Sequence, residues 1–221
     1  GAASPDPNLV NADSLEARFK RDLLGNSLAV VVLVGMMVVF VAAILRFRRF
    51  FDEKPSKARS PGAWNWLIPL LCVVGLGVAG YLAFVEMTRA QAVCGPVGDC
   101  NTVQQSEYAM LFGILPIGLL GMIGYVMILI SWVIARSANR CLAAYAALAQ
   151  LGMTAFGVLF SIYLTFLEPF VIGATCAWCL TSAVIMAALL WLSLATSRPA
   201  LAFLLHGHKT ALKRRNIRRT F

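Results

Sequence analysis

The stretch GATCAWCLTS, residues 173–182, decides how this chain is read. Cys176 and Cys179 stand three apart at the head of an apolar run that continues to Ala195. About 20 apolar residues suffice to cross a bilayer as a helix. Residues three apart on a helix share a face, so both thiols sit together at the mouth of a membrane span. That spacing also suits the roughly 4.4–6.8 Å Cα separation of a disulfide. The unpaired amides and dipole of a helix N-terminus favour a thiolate, the reactive form. Thr175 is placed to be the N-cap. Cys179 lies about 4–5 Å deeper along the axis, within reach of a molecule dissolved in lipid.

Working outward, the whole chain asks for a membrane. Of its 221 residues 60% are hydrophobic and 13% charged, against about 45–50% and 25% in soluble domains. Five runs are long enough to span: Ser27–Leu45, about Trp66–Val85, about Met110–Ala135, about Leu142–Leu167 and Cys176–Ala195. The expected fold is an all-α integral membrane protein, a four-helix transmembrane bundle plus one extra N-terminal transmembrane helix. Residues 1–26 form an extracytoplasmic segment, 27–45 the extra helix and 46–65 a cytoplasmic linker. Residues 66–196 form the core, with an outer cysteine loop at 88–109, and 197–221 a basic cytoplasmic tail. The first span is not followed by a small-residue cleavage site, so it reads as an anchor rather than a signal peptide. GAASPDPN reads as a processed end or cloning remnant. Leu15, Phe19 and Leu23 share one stripe and suggest a short interfacial helix. Pro116 and several glycines fall within the third run, where neighbouring helices can re-satisfy the backbone. The Trp64 and Trp66 pair marks an interface at the start of the second.

Charge sets the orientation. Arg46, Arg48, Arg49, Lys54, Lys57 and Arg59 lie between spans one and two, Arg136 and Arg140 between three and four, and seven more follow the last span. The opposite side keeps Arg18, Lys20, Arg21 and Arg89. Positive residues favour the cytoplasmic side, which puts the N-terminus out and the C-terminus in. The net charge of +9 belongs to lipid headgroups rather than nucleic acid, since it borders apolar spans and no RNA-binding, zinc-finger or phosphate-loop motif accompanies it.

With this topology four cysteines share the outer, oxidising face: Cys94 and Cys100 in the loop QAVCGPVGDCNTVQQSEY, and Cys176 and Cys179. Gly95, Pro96 and Gly98 let the C-x5-C loop bend, either to close a disulfide or to offer sulfur to a soluble partner. Exchange can then pass electrons from the loop pair to the span pair. Two structural disulfides, or a four-thiolate zinc site, remain open readings of the same residues. Cys72 and Cys141 read as small apolar packers. No His lies near the outer face, so proton handling falls to water, Ser106, Glu107, Tyr108 or Asp99. Glu168, just past span four, reads as an interfacial charge. No acid or base falls inside the expected spans, which speaks against a transporter.

The order of these features resembles the vitamin K epoxide reductase family, specifically its bacterial branch, over about residues 66–196. The resemblance rests on Cys94, Cys100, Ser106, Phe112-Gly113 and Cys176-Ala-Trp-Cys179. It implies a four-helix bundle around a quinone of the menaquinone or ubiquinone type. It implies Cys179 facing the quinone, in a transient adduct or charge-transfer contact, with Cys176 exchanging with the loop pair. Cys94 or Cys100 then meets a secreted or membrane-anchored thioredoxin-fold dithiol oxidase. Ser106, Phe112, Ala109 and Trp178 are the expected quinone-binding or orienting positions, and Tyr163 and Phe166 are further aromatic candidates. Animal members carry Asn at the position of Ala109 and Tyr at that of Ala183, which argues against epoxide chemistry here and leaves quinone reduction. About 25 residues follow the last span, too few for the fused thioredoxin-like domain of many bacterial relatives, so the protein partner is expected to be a separate chain. The implied location is a bacterial cytoplasmic membrane, with the cysteine loop outside. The competing class is a non-catalytic quinone-binding or scaffold protein stapled by two disulfides.

Overall fold

A computed structural model describes residues 16–17, 19–52, 66–94, 98–111 and 115–217. Five long helices carry the fold: α1 (Leu23–Asp52), α2 (Leu67–Thr88), α4 (Ile117–Ile134), α5 (Arg140–Leu167) and α6 (Ala177–Ile217). A one-turn helix, α3 (Cys100–Gln104), lies between α2 and α4. Segments of all five long helices have the length and apolarity to cross a membrane, and the chain is an all-α multi-pass membrane protein. Their outward faces carry bare apolar side chains, such as Val31 at 67% and Phe156 at 67% exposure. Lipid is the solvent that tolerates such a surface.

Helix α5 packs along α6, and α2 packs along α4 and also touches α6; α4 closes the group against α5. The extra helix α1 lies outside this four-helix core, against α5 and α6. Interior side chains from every long helix meet in one cluster that includes Met36, Ile68, Tyr125, Val158 and Leu189. Two polar contacts link helices inside the bundle: Gln150 Nε2 donates to Ser193 Oγ at 3.2 Å, fully buried, and the Tyr125 hydroxyl meets Ser182 Oγ at 2.9 Å. Small residues permit the closest approach. A Cβ on Gly118 would overlap the backbone of Ala83, so α4 crosses α2 at van der Waals contact of main chains.

Helix boundaries differ from the apolar runs at three places, each for a backbone reason. The third span starts at Ile117, not near Met110. Pro116 stands as its N-cap and biases Leu115 to an extended conformation. Met110–Leu111 and Leu115–Pro116 pair as a two-residue antiparallel ladder, β1 with β2. Pro116 therefore begins the span rather than interrupting it. The fourth span runs on past Leu167 through a widened π turn, Glu168–Ile172. Pro169 in that turn has no N–H for the regular ladder. Gly173 at φ 78° ends the turn. Helix α6 continues past Ala195, with Pro199 inside it, and its span segment is Ala177–Leu204.

At the end of the bundle where α1 ends and α6 has run its membrane course, Arg side chains lie over indole rings. Arg136 sits 3.3 Å from the Trp132 ring centroid, and Arg46 sits 5.0 Å from that of Trp191. Trp66 meets Trp132 edge-on at 5.5 Å; Trp64 lies outside the described residues. Such aromatic and basic belts favour a membrane–water boundary. The α2–α4 crossing gives a direct test of the packing: Gly118→Val is expected to cost roughly 1–3 kcal/mol of stability, read as a lower melting temperature of the detergent-solubilised protein.

Candidate redox site

At the other end of the bundle the four sulfurs come together. Cys94 and Cys100 form a disulfide with their Cα atoms 5.9 Å apart. Cys100 and Cys176 are fully buried members of one apolar cluster, and Cys94 and Cys179 pack against it. Cys176 and Cys179 are free thiols. Cys72 is buried mid-helix as expected, whereas Cys141 is exposed and packs no core.

The helix that carries the second pair starts differently from the sequence expectation. Cys176 itself is the cap. Its carbonyl accepts from the Leu180 amide at 3.0 Å, and its Sγ accepts from the Cys179 amide at 3.3 Å. Thr175 does not cap; its hydroxyl donates to Asn26 Oδ1 at 2.9 Å. Asn26 is fully buried, and its amide donates to the Phe19 carbonyl at 3.0 Å and the Gly173 carbonyl at 3.5 Å. The extra helix α1 thus fixes the segment leading into Cys176. The residue before α1 is equally ordered: Asp22 accepts from the Gly25 amide at 3.0 Å, the pattern of an N-cap.

Glu168 is not an interfacial charge. It is 2% exposed, and its Oε2 accepts from the Cys176 amide at 3.2 Å. Its carbonyl takes the amides of Gly173 at 2.8 Å and Ala174 at 3.3 Å. The apolar run simply stops at Leu167, while the backbone turns inward for another five residues. Glu86 is likewise interior at 6% exposure, because α2 outlasts its apolar run by a turn before Arg89, at φ 52°, ends it. Glu86 Oε2 accepts from the Gly118 amide at 2.8 Å, where a helix N-terminus leaves amides free for an anion. The expectation of acid-free spans is therefore overturned.

The loop is pinned onto the span pair. Its residue before Cys94, Val93, donates its amide to the Tyr81 hydroxyl at 2.7 Å and accepts from Trp178 Nε1 at 2.9 Å. Tyr81 and Trp178 pack tilted at 5.2 Å. Asn101 brackets Ala92 on both sides, accepting from its amide at 2.7 Å and donating to its carbonyl at 3.4 Å. Gly98, at φ 92°, lies so close that a Cβ there would overlap the Thr175 carbonyl oxygen. Helix α3 is capped by Asp99, which accepts from the Thr102 amide at 3.2 Å and hydroxyl at 2.6 Å. The Thr102 hydroxyl keeps the Asp99 carboxyl below its usual range. One turn on, Gln104 Nε2 lies 3.7 Å from Cys176 Sγ and 3.5 Å from Cys179 Sγ, so one amide bridges the loop to both span sulfurs. Hydrogen bonds from the Cys179 thiol first, and from the Cys179 amide and Gln104 after it, hold the Cys176 thiol below the ordinary cysteine range despite burial.

Below the sulfurs lies a cavity of about 410 Å³, walled by α2, α4, α5 and α6. Its lining includes Cys179, Glu86, Glu168, Tyr125 and Ser182 among mostly apolar side chains. Ile123, Met127 and Phe156 also line it while standing 49%, 47% and 67% exposed, so it reaches the lipid-facing surface. A smaller cavity of about 50 Å³ shares Cys179, Glu86 and Glu168 and adds Gln104, Ser106, Tyr108 and Ala109. Of the expected quinone contacts, Ser106 and Ala109 are placed here. Trp178 lies on neither cavity and clamps the loop instead. Phe112 lies outside the described residues. Tyr163 and Phe166 point outward, at 54% and 48% exposure. Glu107 is exposed.

The vitamin K epoxide reductase family model matches residues 66–194, more than half of the chain. The chain belongs to the vitamin K epoxide reductase family. Among curated proteins none matches it. Family membership makes this a membrane thiol–disulfide oxidoreductase of a quinone-linked kind. The cavity fits that chemistry: its volume is within the range of small-molecule sites, its walls suit an apolar ring and tail, and a thiol and a few polar groups cluster at one end. Helix α1 precedes the family-matched region, yet Asn26 reaches the site.

Two measurements check this geometry. Gln104→Leu removes a donor to sulfur and is expected to move the pH at which Cys176 reacts with a maleimide upward, followed by mass spectrometry on reduced protein. Asn26→Leu leaves the buried Thr175 hydroxyl and Gly173 carbonyl short of partners. It is expected to cost about 1–3 kcal/mol, seen as a lower melting temperature and faster hydrogen exchange at 173–176.

Proposed function

We propose that the protein reoxidises a separate thioredoxin-fold dithiol oxidase and passes the electrons through Cys94/Cys100, then Cys176/Cys179, to a membrane quinone. The observation that carries this reading is the convergence of all four sulfurs in one cluster above a lipid-reaching cavity lined by Cys179. The charge pattern supports an orientation with the cysteine loop on the outer face of a cytoplasmic membrane and the C-terminus inside. A scaffold stapled by two disulfides fits less well, because Cys179 lines a lipid-reaching cavity that a structural staple has no need of.

The order of steps follows from exposure. Cys94 is partly exposed and Cys100 fully buried. A partner thiolate attacks Cys94, which breaks the Cys94–Cys100 bond and frees the Cys100 sulfur inside the shared cluster. The second thiol of the partner then attacks the partner's own sulfur in the mixed disulfide, which leaves the partner oxidised and Cys94 free. Cys100 attacks Cys176 when the span pair is a disulfide and releases Cys179, and Cys94 then attacks Cys100, so the loop disulfide reforms and Cys176 leaves as the second thiol of the span dithiol. Hydrogen bonds from the Cys179 amide and from Gln104 stabilise the Cys176 sulfur as its proton leaves. Cys179 then presents its sulfur to the cavity. A quinone bound there supplies the terminal oxidant, taking up two electrons and two protons. The strongest soluble oxidases of this class sit near −120 mV, so an acceptor only ~60 mV more positive favours transfer by roughly 3 kcal/mol. Positioning rather than driving force is what the protein must provide.

Cys179→Ser is expected to abolish quinone-dependent oxidation of a reduced thioredoxin-fold oxidase, followed as hydroquinone formation by the purified protein, while the Cys94–Cys100 disulfide still forms. Full activity in that variant would refute the relay. Cys94→Ser is expected to abolish oxidation of the protein partner yet retain part of the oxidation of dithiothreitol, which is small enough to reach the inner pair.

A further inference from the structure

Two carboxyl groups sit at membrane depth with nothing in the relay to explain them. Glu86 from α2 and Glu168 from the widened turn after α5 are both buried, and both line the larger and the smaller cavity together with Cys179. Each is anchored by one oxygen only: Glu86 Oε2 by the Gly118 amide, and Glu168 Oε2 by the Cys176 amide. Among the described residues the second oxygen of each makes no hydrogen bond. Among the described residues no Lys, Arg or His lines either cavity, so neither acid is half of an ion pair with them there. Ionisable groups at this depth are costly and mark functional positions. Accepting one amide hydrogen bond does not require an acid, since a glutamine carbonyl accepts as well.

We propose that Glu86 and Glu168 carry the protons of the dithiol reaction at Cys179. The proposal rests on the cavity being the quinone site. Closing the Cys176–Cys179 disulfide breaks two S–H bonds, forms one S–S bond and releases two electrons and two protons. Reduction of a quinone to its hydroquinone takes up the same two electrons and two protons. Glu168, bonded to the Cys176 backbone, receives proton from the thiol side. Glu86 hangs from the N-terminus of α4 and makes no bond to the Cys-x-x-Cys turn, so it serves the acceptor side. Both carboxyls end each turnover as they began it. The other titratable groups facing them are the thiols of Cys176 and Cys179, the Tyr108 phenol in the smaller cavity and the Tyr125 phenol in the larger. The Tyr125 hydroxyl is engaged by Ser182 and the Tyr108 side chain stands exposed, which leaves the two acids as the buried oxygen groups placed to relay.

The test uses the full chain in lipid nanodiscs, with dithiothreitol as the dithiol and a short-chain ubiquinone or menadione as the acceptor. E86Q and E168Q are each expected to lower kcat about tenfold or more with little change in the quinone KM, and E86D and E168D to recover part of the rate. Without any quinone, the infrared difference spectrum between oxidised and dithiothreitol-reduced protein is expected to show a carboxyl C=O band that E86Q and E168Q remove. Gln variants that turn over at the wild-type rate overturn the proposal. So does a wild-type spectrum without a carboxyl band, even where the Gln variants are slow, because the acids are then only structural. Should a Gln variant fail to insert, its Asp counterpart and the wild-type spectrum decide. A wild-type protein that oxidises dithiothreitol over many turnovers with neither quinone nor oxygen present defeats the quinone reading instead, and the infrared band still judges the carboxyls.

Discussion

Glu168 gathers three backbone groups of one short segment: its carbonyl takes the amides of Gly173 and Ala174, and its carboxyl takes that of Cys176. Buried amides in hydrocarbon must find such acceptors. Because one residue satisfies all three, the chain leaves α5, turns through a left-handed glycine and starts α6 with Cys176 as its cap. Three other features of the site are hung from that turn. Gly98 lies on the Thr175 carbonyl, Asn26 holds Thr175 and Gly173 from behind, and Gln104 reaches across to both sulfurs. The turn also explains why a proline is tolerated at 169: the widened π geometry has no use for the missing amide.

The two ends of the bundle are built from different materials. At one end, cations lie over indoles, Arg136 on Trp132 and Arg46 on Trp191, a boundary that ties helices to headgroups. At the other, amides, hydroxyls and carboxyls hold loop and helices to one another, as in the brackets of Asn101 on Ala92 and of Tyr81 and Trp178 on Val93. The first kind of contact tolerates sliding, whereas the second sets positions to a fraction of an ångström. Exchange between thiols needs the second kind.

The helices were legible in the sequence because apolarity over 20 residues has few alternatives, and the cysteines because their spacing and side of the membrane agree. What escaped reading were residues whose role depends on where a turn points. Glu86 and Glu168 stand just beyond apolar runs, where a charge ordinarily meets water. Only the extra turn of α2 and the π turn after α5 carry them inward. Gln104 and Asn26 carry no motif at all; their partners beside the span cysteines lie 72 to 149 positions away. Trp178 was legible as important but not in its task, since an indole can serve a cavity wall or a hydrogen bond with equal ease. Pro116 was misplaced because hydropathy does not register that a proline starts helices better than it continues them.

The larger cavity meets the surface along the side of the bundle, past Ile123, Met127 and Phe156, while the loop disulfide lies at the end. On the proposed reading the two reactants come along perpendicular paths, one sideways through the bilayer and one head-on from water. Neither has to depart before the other arrives, and the only traffic between the two ports is what passes through sulfur. Such an enzyme can be choked from the lipid side without blocking protein docking, so a greasy inhibitor and a protein substrate would not displace each other.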